Sequence, residues 1–151
     1  MGAHIGKDVV VEFAIASEDA VVSGLTWIAL GMMRGKSLKT SWDSADTTAD
    51  DSPDQTKTQL TTFKNVEFSG DGVSYDDAVY NQELLEQHVV SPGAETQNAP
   101  KAFFRLTYPS GKKYTGPFLV TEWSNDSPHS DAATWSITAS SNGAVVFTPA
   151  P

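Results

Sequence analysis

Residues 133–140 read ATWSITAS, and this stretch is the clearest indication of the fold. The apolar residues Trp135, Ile137 and Ala139 are each separated by one hydroxyl-bearing residue. A period of two residues places alternate side chains on opposite faces of a strand. The stretch therefore predicts a β-strand that buries one face and leaves the other polar.

The same alternation recurs along the chain. Further strands are predicted at residues 7–16, 37–43, 58–69, 102–108, 112–123 and 144–148, with a short apolar run at 27–30. Turns are expected at 70–72 and 109–111, and Asn142-Gly143 favours a hairpin. One helix is predicted over 76–89, with Ser74 and Asp77 at the spacing of a capping box. We expect a mainly β (α+β) domain, a β-sandwich or open barrel with one packed helix, whose core spans 7–148 between flexible termini at 1–6 and 149–151.

One segment interrupts the strands. Residues 43–56 read DSADTTADDSPDQT, with five aspartates and no aliphatic side chain larger than alanine. We expect a long acidic loop at the tip of a hairpin, because the segment has no apolar side chains that a strand could bury. Loops of this length in compact domains are usually functional or disordered. Lacking an apolar anchor, it should be mobile in the free subunit.

Composition excludes several classes of function. The net charge of −9 is the opposite of what a protein that grips nucleic acid shows. The absence of cysteine excludes disulfides, thiol nucleophiles and thiolate metal sites. The N-terminus has no pattern of a signal peptide, and the uncharged run at 20–33 is too short and polar to span a bilayer, so we expect a cytoplasmic origin.

No catalytic, cofactor or metal motif is found. The histidines, His4, His88 and His129, lack the spacing of a metal site, and the aspartates of residues 43–56 do not match a calcium loop. We therefore expect no enzyme and no cofactor. Two alternatives stay open at this point: a carbohydrate- or protein-binding β-sandwich, and a hydrolase that uses carboxylates.

The order of the segments resembles that of the major tail tube proteins of long, non-contractile bacteriophage tails. The resemblance runs over about residues 7–148, from the apolar run at 25–28 through the strand at 36–42, the acidic loop, the strand end at 67–70 and the helix. It continues through the hairpin at 104–118 to the closing stretch at 135–143. Some relatives carry an additional immunoglobulin-like domain, which we do not expect in a chain that ends at Pro151.

The resemblance implies a structural virion protein. Subunits would form hexameric rings with a continuous inner β-barrel, and the rings would stack into a tube that conducts DNA without binding it specifically. Its partners would be itself and the tape-measure, terminator and tail-tip proteins, and assembly would take place in the host cytoplasm. The acidic loop would reach the neighbouring ring through Asp43, Asp46, Thr47, Thr48, Asp50, Asp51 and Asp54.

The polar side of the hairpin is then expected to line the bore. Its candidates are Ser41, Asp43, Gln59, Thr61, Asn65 and Glu67. The opposite side, which carries most of the apolar residues, should pack inward. Its members are Thr40, Trp42, Leu60, Val66 and Phe68. A shift of one residue in register would exchange the two sets.

Overall fold

The computed structural model describes residues 3, 5–49, 56–57, 59–75 and 77–151. Within these residues, the strands number eight and there is one α-helix, α1, at Gln82–Val90. The strands are β1 Val10–Ala14, β2 Ile28–Ala29, β3 Met33–Asp46, β4 Gln59–Val73, β5 Lys101–Thr107, β6 Lys113–Asp126, β7 Thr134–Ser141 and β8 Val146–Thr148. The predicted class, mainly β with one packed helix, is confirmed.

All the strands belong to one antiparallel sheet in the order β2-β1-β5-β6-β7-β4-β3, with β8 beside β6. The short β2 and the long β3 are thus the two edges of the sheet. The predicted turn at 109–111 is confirmed, since the Gly111 N–H donates to the Tyr108 carbonyl and φ of Gly111 is +100°. Within the described residues, no helix is long and apolar enough to cross a bilayer.

The sheet curls tightly around an aromatic core. The Phe68 and Phe104 rings lie 5.3 Å apart between centroids, although their strands, β4 and β5, are separated by two others. In a flat sheet these strands would be about 14 Å apart, so the sheet must bend back on itself. Phe118 completes the cluster, 5.7 Å from Phe104 in an edge-to-face contact. The alternation of β7 places Trp135, Ile137 and Ala139 in this core, as predicted.

The helix begins later than predicted. Asn81 has a left-handed conformation, φ +61°, and it separates a 3-10 turn at Ala78–Tyr80 from α1. The Asn81 side chain donates to the Ala29 carbonyl at 2.9 Å, which holds this break in place. The predicted capping box is wrong, because Asp77 makes no side-chain cap and precedes the 3-10 turn.

Gln82 at the start of α1 joins the helix to the sheet. Its side-chain oxygen accepts from the Tyr75 N–H, and its nitrogen donates to the Gly31 and Val73 carbonyls. Because Gln82 is buried, these bonds satisfy polar backbone groups that would otherwise lose water without replacement.

Two predicted turns are wrong. Residues 70–72 continue β4 and pair with β7. Asn142-Gly143 does not form a hairpin, because the Asn142 N–H donates to the Pro117 carbonyl and the chain continues along the same side of β6 to become β8. Gly143 has a φ of +146° there, so its glycine-specific conformation serves a kink instead of a reversal.

The aromatic core predicts a large effect of truncation at its centre. We expect Phe104→Ala to lower the free energy of unfolding by about 3–5 kcal/mol, because the cavity between Phe68 and Phe118 cannot close. Urea denaturation followed by tryptophan fluorescence measures it. Val10→Ala, at a half-exposed position on β1, is the matched control and should change the stability by no more than about 0.5 kcal/mol. Equal losses in both variants would contradict this assignment of the core.

Candidate functional site

The outward side of strands β3, β4, β7 and β6 forms a continuous polar face. Residues that lie directly opposite each other in antiparallel strands have side chains on the same side of the sheet. One row across the four strands therefore consists of Ser37, Ser69, Thr138 and Glu122. The next rows toward one end are Gly35, Asp71, Ser136 and Ser124, and then Val73, Thr134 and Asp126.

This polar face is strongly acidic. It carries five carboxylates, those of Asp43, Glu67, Asp71, Glu122 and Asp126. A basic residue, Lys39 on β3, also lies on this face, directly opposite Glu67 on β4. Arg34 approaches Asp71 at 4.0 Å in an exposed ion pair. The surface thus combines hydroxyl groups with a net negative charge, because Lys39 and Arg34 offset only part of the five carboxylates.

The register places only some of the predicted bore residues together. Ser41 pairs with Asn65, and Glu67 and Asp43 follow on the same side by alternation. A bulge in β4 then adds one residue between the pairs Trp42–Lys64 and Ser44–Thr61. Thr61 and Gln59 are therefore turned to the opposite side.

Because of the same bulge, only some of the residues predicted to pack inward lie on the inner side. Val66 and Phe68 are buried as expected, and Thr40 lies on their side although it is exposed. Leu60 pairs with Ala45 and lies on the side of Asn65, while Trp42 keeps the inner side but is not covered. The prediction that Trp42 and Leu60 pack inward is thus wrong. The bulge turns Leu60 to the other side, and none of the described strands covers Trp42.

The predicted acidic loop begins later than expected. Asp43 and Asp46 belong to β3, and Thr47 and Thr48 follow it; Asp50, Asp51 and Asp54 lie outside the described residues. Hydrogen bonds from the side chain and the backbone N–H of Thr48 lower the pKa of Asp46, and the N–H to Oδ1 distance is 2.8 Å. Asp46 and Thr48 thus form a local turn where the strand ends.

The end of the β3–β4 hairpin, residues 41–46 and 59–65, extends past β7 as a two-stranded ribbon. β7 pairs with β4 only over Glu67–Val73. The ribbon exposes large side chains: Trp42 is 58%, Leu60 is 60% and Phe63 is 77% exposed. An isolated two-stranded ribbon is marginally stable in water, so this one is suited to contact with another protein surface.

At the other end of the sheet, a cleft of about 560 Å³ separates α1 from the ends of β4, β6 and β7. We call it the acidic cleft, because Glu83 and Glu86 line it together with Tyr75. On its sheet side, the Trp123 and Trp135 rings stack 5.1 Å apart at an angle of 5°.

Among the described residues, no cluster of three or more histidine, aspartate or glutamate side chains could hold a metal ion. His88 is buried in α1 with its Nε2 2.7 Å from the Lys101 carbonyl, a structural hydrogen bond, and His129 is in an exposed loop. His4 lies outside the described residues.

The sequence profile of the phage tail tube protein family matches residues 3–147. The chain belongs to this family. It is thus related to the structural proteins of phage tails, and the family resemblance noted in the sequence is confirmed. No curated protein matches the sequence.

Solved structures with the tail tube fold are similar over nearly the whole chain. A protein in the native gene transfer agent virion is 20% identical, with a TM-score of 0.73 over 97% of this chain and 100% of that one. A protein in the tail of the empty gene transfer agent particle, refined with C6 symmetry, is 19% identical, with a TM-score of 0.72 over 97% and 100% of the two chains. The SPP1 tail tube protein is 13% identical, with a TM-score of 0.63 over 95% of this chain and 77% of that one.

Only the part of the polar face on the hairpin could be predicted from the sequence. Glu122 and Asp126 on β6 and the hydroxyl residues of β7 extend it. The alternation of β7 showed that Thr134, Ser136 and Thr138 share a side. Nothing in the sequence showed that β7 lies beside β4.

The bulge in β4 can be tested with engineered disulfides, because the chain has no cysteine of its own. Ala45→Cys combined with Leu60→Cys should oxidise readily, since the two residues are directly opposite and share a side. Ala45→Cys with Thr61→Cys is the control and should retain free thiols, because its side chains point to opposite sides. Thiol titration after mild oxidation distinguishes them. Faster oxidation of the control pair would show the register without the bulge.

Proposed function

We propose that this tail tube protein forms hexameric rings that stack into the tube of a phage tail, a non-catalytic conduit for DNA. The observation that carries the proposal is the four-stranded polar face with its five carboxylates. The curled core requires only the inner side of the sheet, so the five carboxylates gathered on the outer side need a separate reason.

The edges of the sheet support closure into a ring. β3 presents a long edge of 14 residues and β2 a short one of two residues at the opposite end of the sheet. Unpaired strand edges are templates for pairing with other chains, and a closed ring removes them. The C6 symmetry of the similar gene transfer agent tail supports six copies per ring.

The polar face is placed toward the bore in this arrangement. Ser41, Asp43, Asn65 and Glu67 would line it, joined by Asp71, Glu122 and Asp126. Gln59 and Thr61 are left out of the proposed lining because the bulge turns them away. A bore of this kind repels phosphate groups, so DNA passes without lasting contacts.

Further contacts follow from the tube. The segment after β3, including Thr47 and Thr48, would meet the neighbouring ring. Tape-measure, terminator and tail-tip proteins would begin and end the tube. Assembly would occur in the host cytoplasm, and the protein would remain in the virion tail.

Assembly is the first test. At high concentration or with its tail-initiating partners, the purified protein should form rings with six-fold symmetry and tubes, visible by negative-stain microscopy and detected by light scattering. The physical reason is the mutual burial of strand edges in neighbouring copies. A protein that stays monomeric under all of these conditions would refute the proposal.

The charge of the bore is the second test. Asp43→Lys combined with Glu67→Lys should permit tube assembly but slow DNA ejection, because two added cations per subunit are repeated six times in every ring and bind phosphate. Ejection kinetics from phage carrying the variant measure the effect, which should weaken as salt is raised. Asp19→Lys with Glu95→Lys, both exposed and outside the polar face, gives the same charge change as a control. Normal ejection by the first variant would show that these residues do not face the DNA.

A further inference from the structure

The acidic cleft combines carboxylates with aromatic rings. Glu83 and Glu86 are three residues apart on α1, so they lie on the same face of the helix, and both line the cleft. On the sheet side, the partly exposed Trp123 stacks on Trp135. The exposed Tyr75 adds a further ring just after the end of β4. Aromatic rings beside carboxylates are surroundings in which proteins bind organic ammonium ions.

The negative charge of the cleft is not balanced within the described chain. The described lining contains no lysine or arginine, and none of the described ion pairs includes Glu83 or Glu86. Glu86 accepts a hydrogen bond from the Asn125 amide at 2.6 Å, and Asn125 Oδ1 accepts from the Trp123 indole at 3.3 Å. These neutral donors hold the Glu86 carboxylate near Trp123 without cancelling its charge. A cation from outside the chain would therefore meet two carboxylates in the cleft.

An unpaired hydrogen-bond donor is a second, independent feature of the cleft. Trp135 is 2% exposed, and its indole N–H has no acceptor among the described residues. A β-carbon at Gly72 would lie 3.0 Å from Trp135 Cε2, the ring carbon that carries the nitrogen. The nitrogen-bearing edge of the ring thus lies toward the end of β4, from which the chain continues into Ser74 and Tyr75 of the lining. Because a buried donor without a partner costs free energy, an acceptor oxygen on a ligand would stabilise the complex.

We propose that the acidic cleft binds a small organic ammonium ion that also carries a hydroxyl group. The ammonium group lies against Glu83 and Glu86. The carbon atoms of the ligand pack on Trp123, and its hydroxyl oxygen accepts from the Trp135 indole N–H. The cleft volume of about 560 Å³ lies within the range of roughly 300–1,000 Å³ that is usual for small-molecule sites. Choline and glucosamine are two sources of this chemistry, one with an alkyl body and the other with a sugar ring.

This inference goes beyond the proposed tube, because the cleft and the polar face lie on opposite sides of the sheet. Trp123 is paired with Ile137 and Asn125 with Trp135, which places these four residues on the inner side. The site needs no second copy, so it can be tested with protein below the concentration at which it assembles. Failure to form tubes would overturn the proposed function and leave this test unaffected.

Matched probes in isothermal titration calorimetry test the class of ligand. Choline is compared with tetramethylammonium, which lacks the hydroxyl group, and with dimethylbutanol, its uncharged carbon isostere. Glucosamine is compared with glucose, which lacks the ammonium group. Choline, glucosamine or both should bind, in each case about tenfold or more tightly than the comparison compounds, because each of these loses one of the two polar contacts. The proposal is overturned if neither binds, or if a comparison compound binds as tightly as its parent.

Neutralising the two carboxylates tests the site. Glu83→Gln combined with Glu86→Gln should weaken binding of the ammonium probe by about tenfold or more, because glutamine keeps the shape and the acceptor oxygen but removes the charge. Glu67→Gln with Glu95→Gln gives the same change in net charge at exposed positions outside the cleft, and this control should bind like the wild type. Unchanged affinity in the cleft variant, or an equal loss in the control, would contradict the assignment.

The Trp135 indole N–H provides a readout in the unmodified protein. In proton–nitrogen correlation spectra, saturating ligand should move the Trp135 indole signal downfield, since the proton gains an oxygen acceptor. The indole signals of Trp27 and Trp42, which lie outside the cleft, should stay in place. A Trp135 signal that does not move at saturation, or equal shifts of all the indole signals, would overturn the proposal.

Discussion

The curl of the sheet around Phe68, Phe104 and Phe118 is the constraint on which the rest of the structure depends. Bringing β4 within ring contact of β5 buries one side of almost every strand. The other side of β3, β4, β7 and β6 is left on the outside. A small domain with one core can meet its need for apolar burial on a single side of its sheet. The outer side is therefore free to carry the acidic polar face.

The same curl leaves the hairpin end without support. β4 is 15 residues long, but β7 pairs with it only over Glu67–Val73. The ribbon beyond this point exposes Trp42 and Phe63. Exposed large apolar side chains do not stabilise a monomer, and they often mark a surface that contacts another protein. The core is thus well packed, whereas the end of the hairpin leaves apolar side chains exposed. This arrangement is typical of a subunit that completes its packing in an assembly.

Two local backbone irregularities, the bulge in β4 and the left-handed Asn81, shape the surfaces of this subunit. The bulge in β4 exchanges the sides of residues 59–61, which changes what each side of the ribbon presents. The left-handed Asn81 begins α1 late and fixes the helix beside the sheet, where Gln82 bonds to three backbone groups. The acidic cleft thus lies at one end of the sheet, and the ribbon with its exposed aromatic side chains lies at the other.

The sequence by itself determined the class of fold, the strands and the acidity. Period-two alternation is a local property, so residues 133–140 and the other strands could be identified without their neighbours. Family membership could also be inferred, because the order of the segments resembles that of tail tube proteins. The acidity and the absence of cysteine follow directly from the composition.

Only the tertiary structure decided which strands are neighbours and where register changes. Asn142-Gly143 favours a hairpin locally, yet a hydrogen bond to Pro117 keeps the chain on β6. The bulge in β4 between Thr61 and Lys64 leaves the alternating sequence pattern unchanged but reverses the side on which Leu60 lies. Pairing depends on contacts between residues far apart in the chain, and their energies are absent from any local pattern. For that reason the sequence indicated half of the polar face, and the fold was needed to assemble the whole.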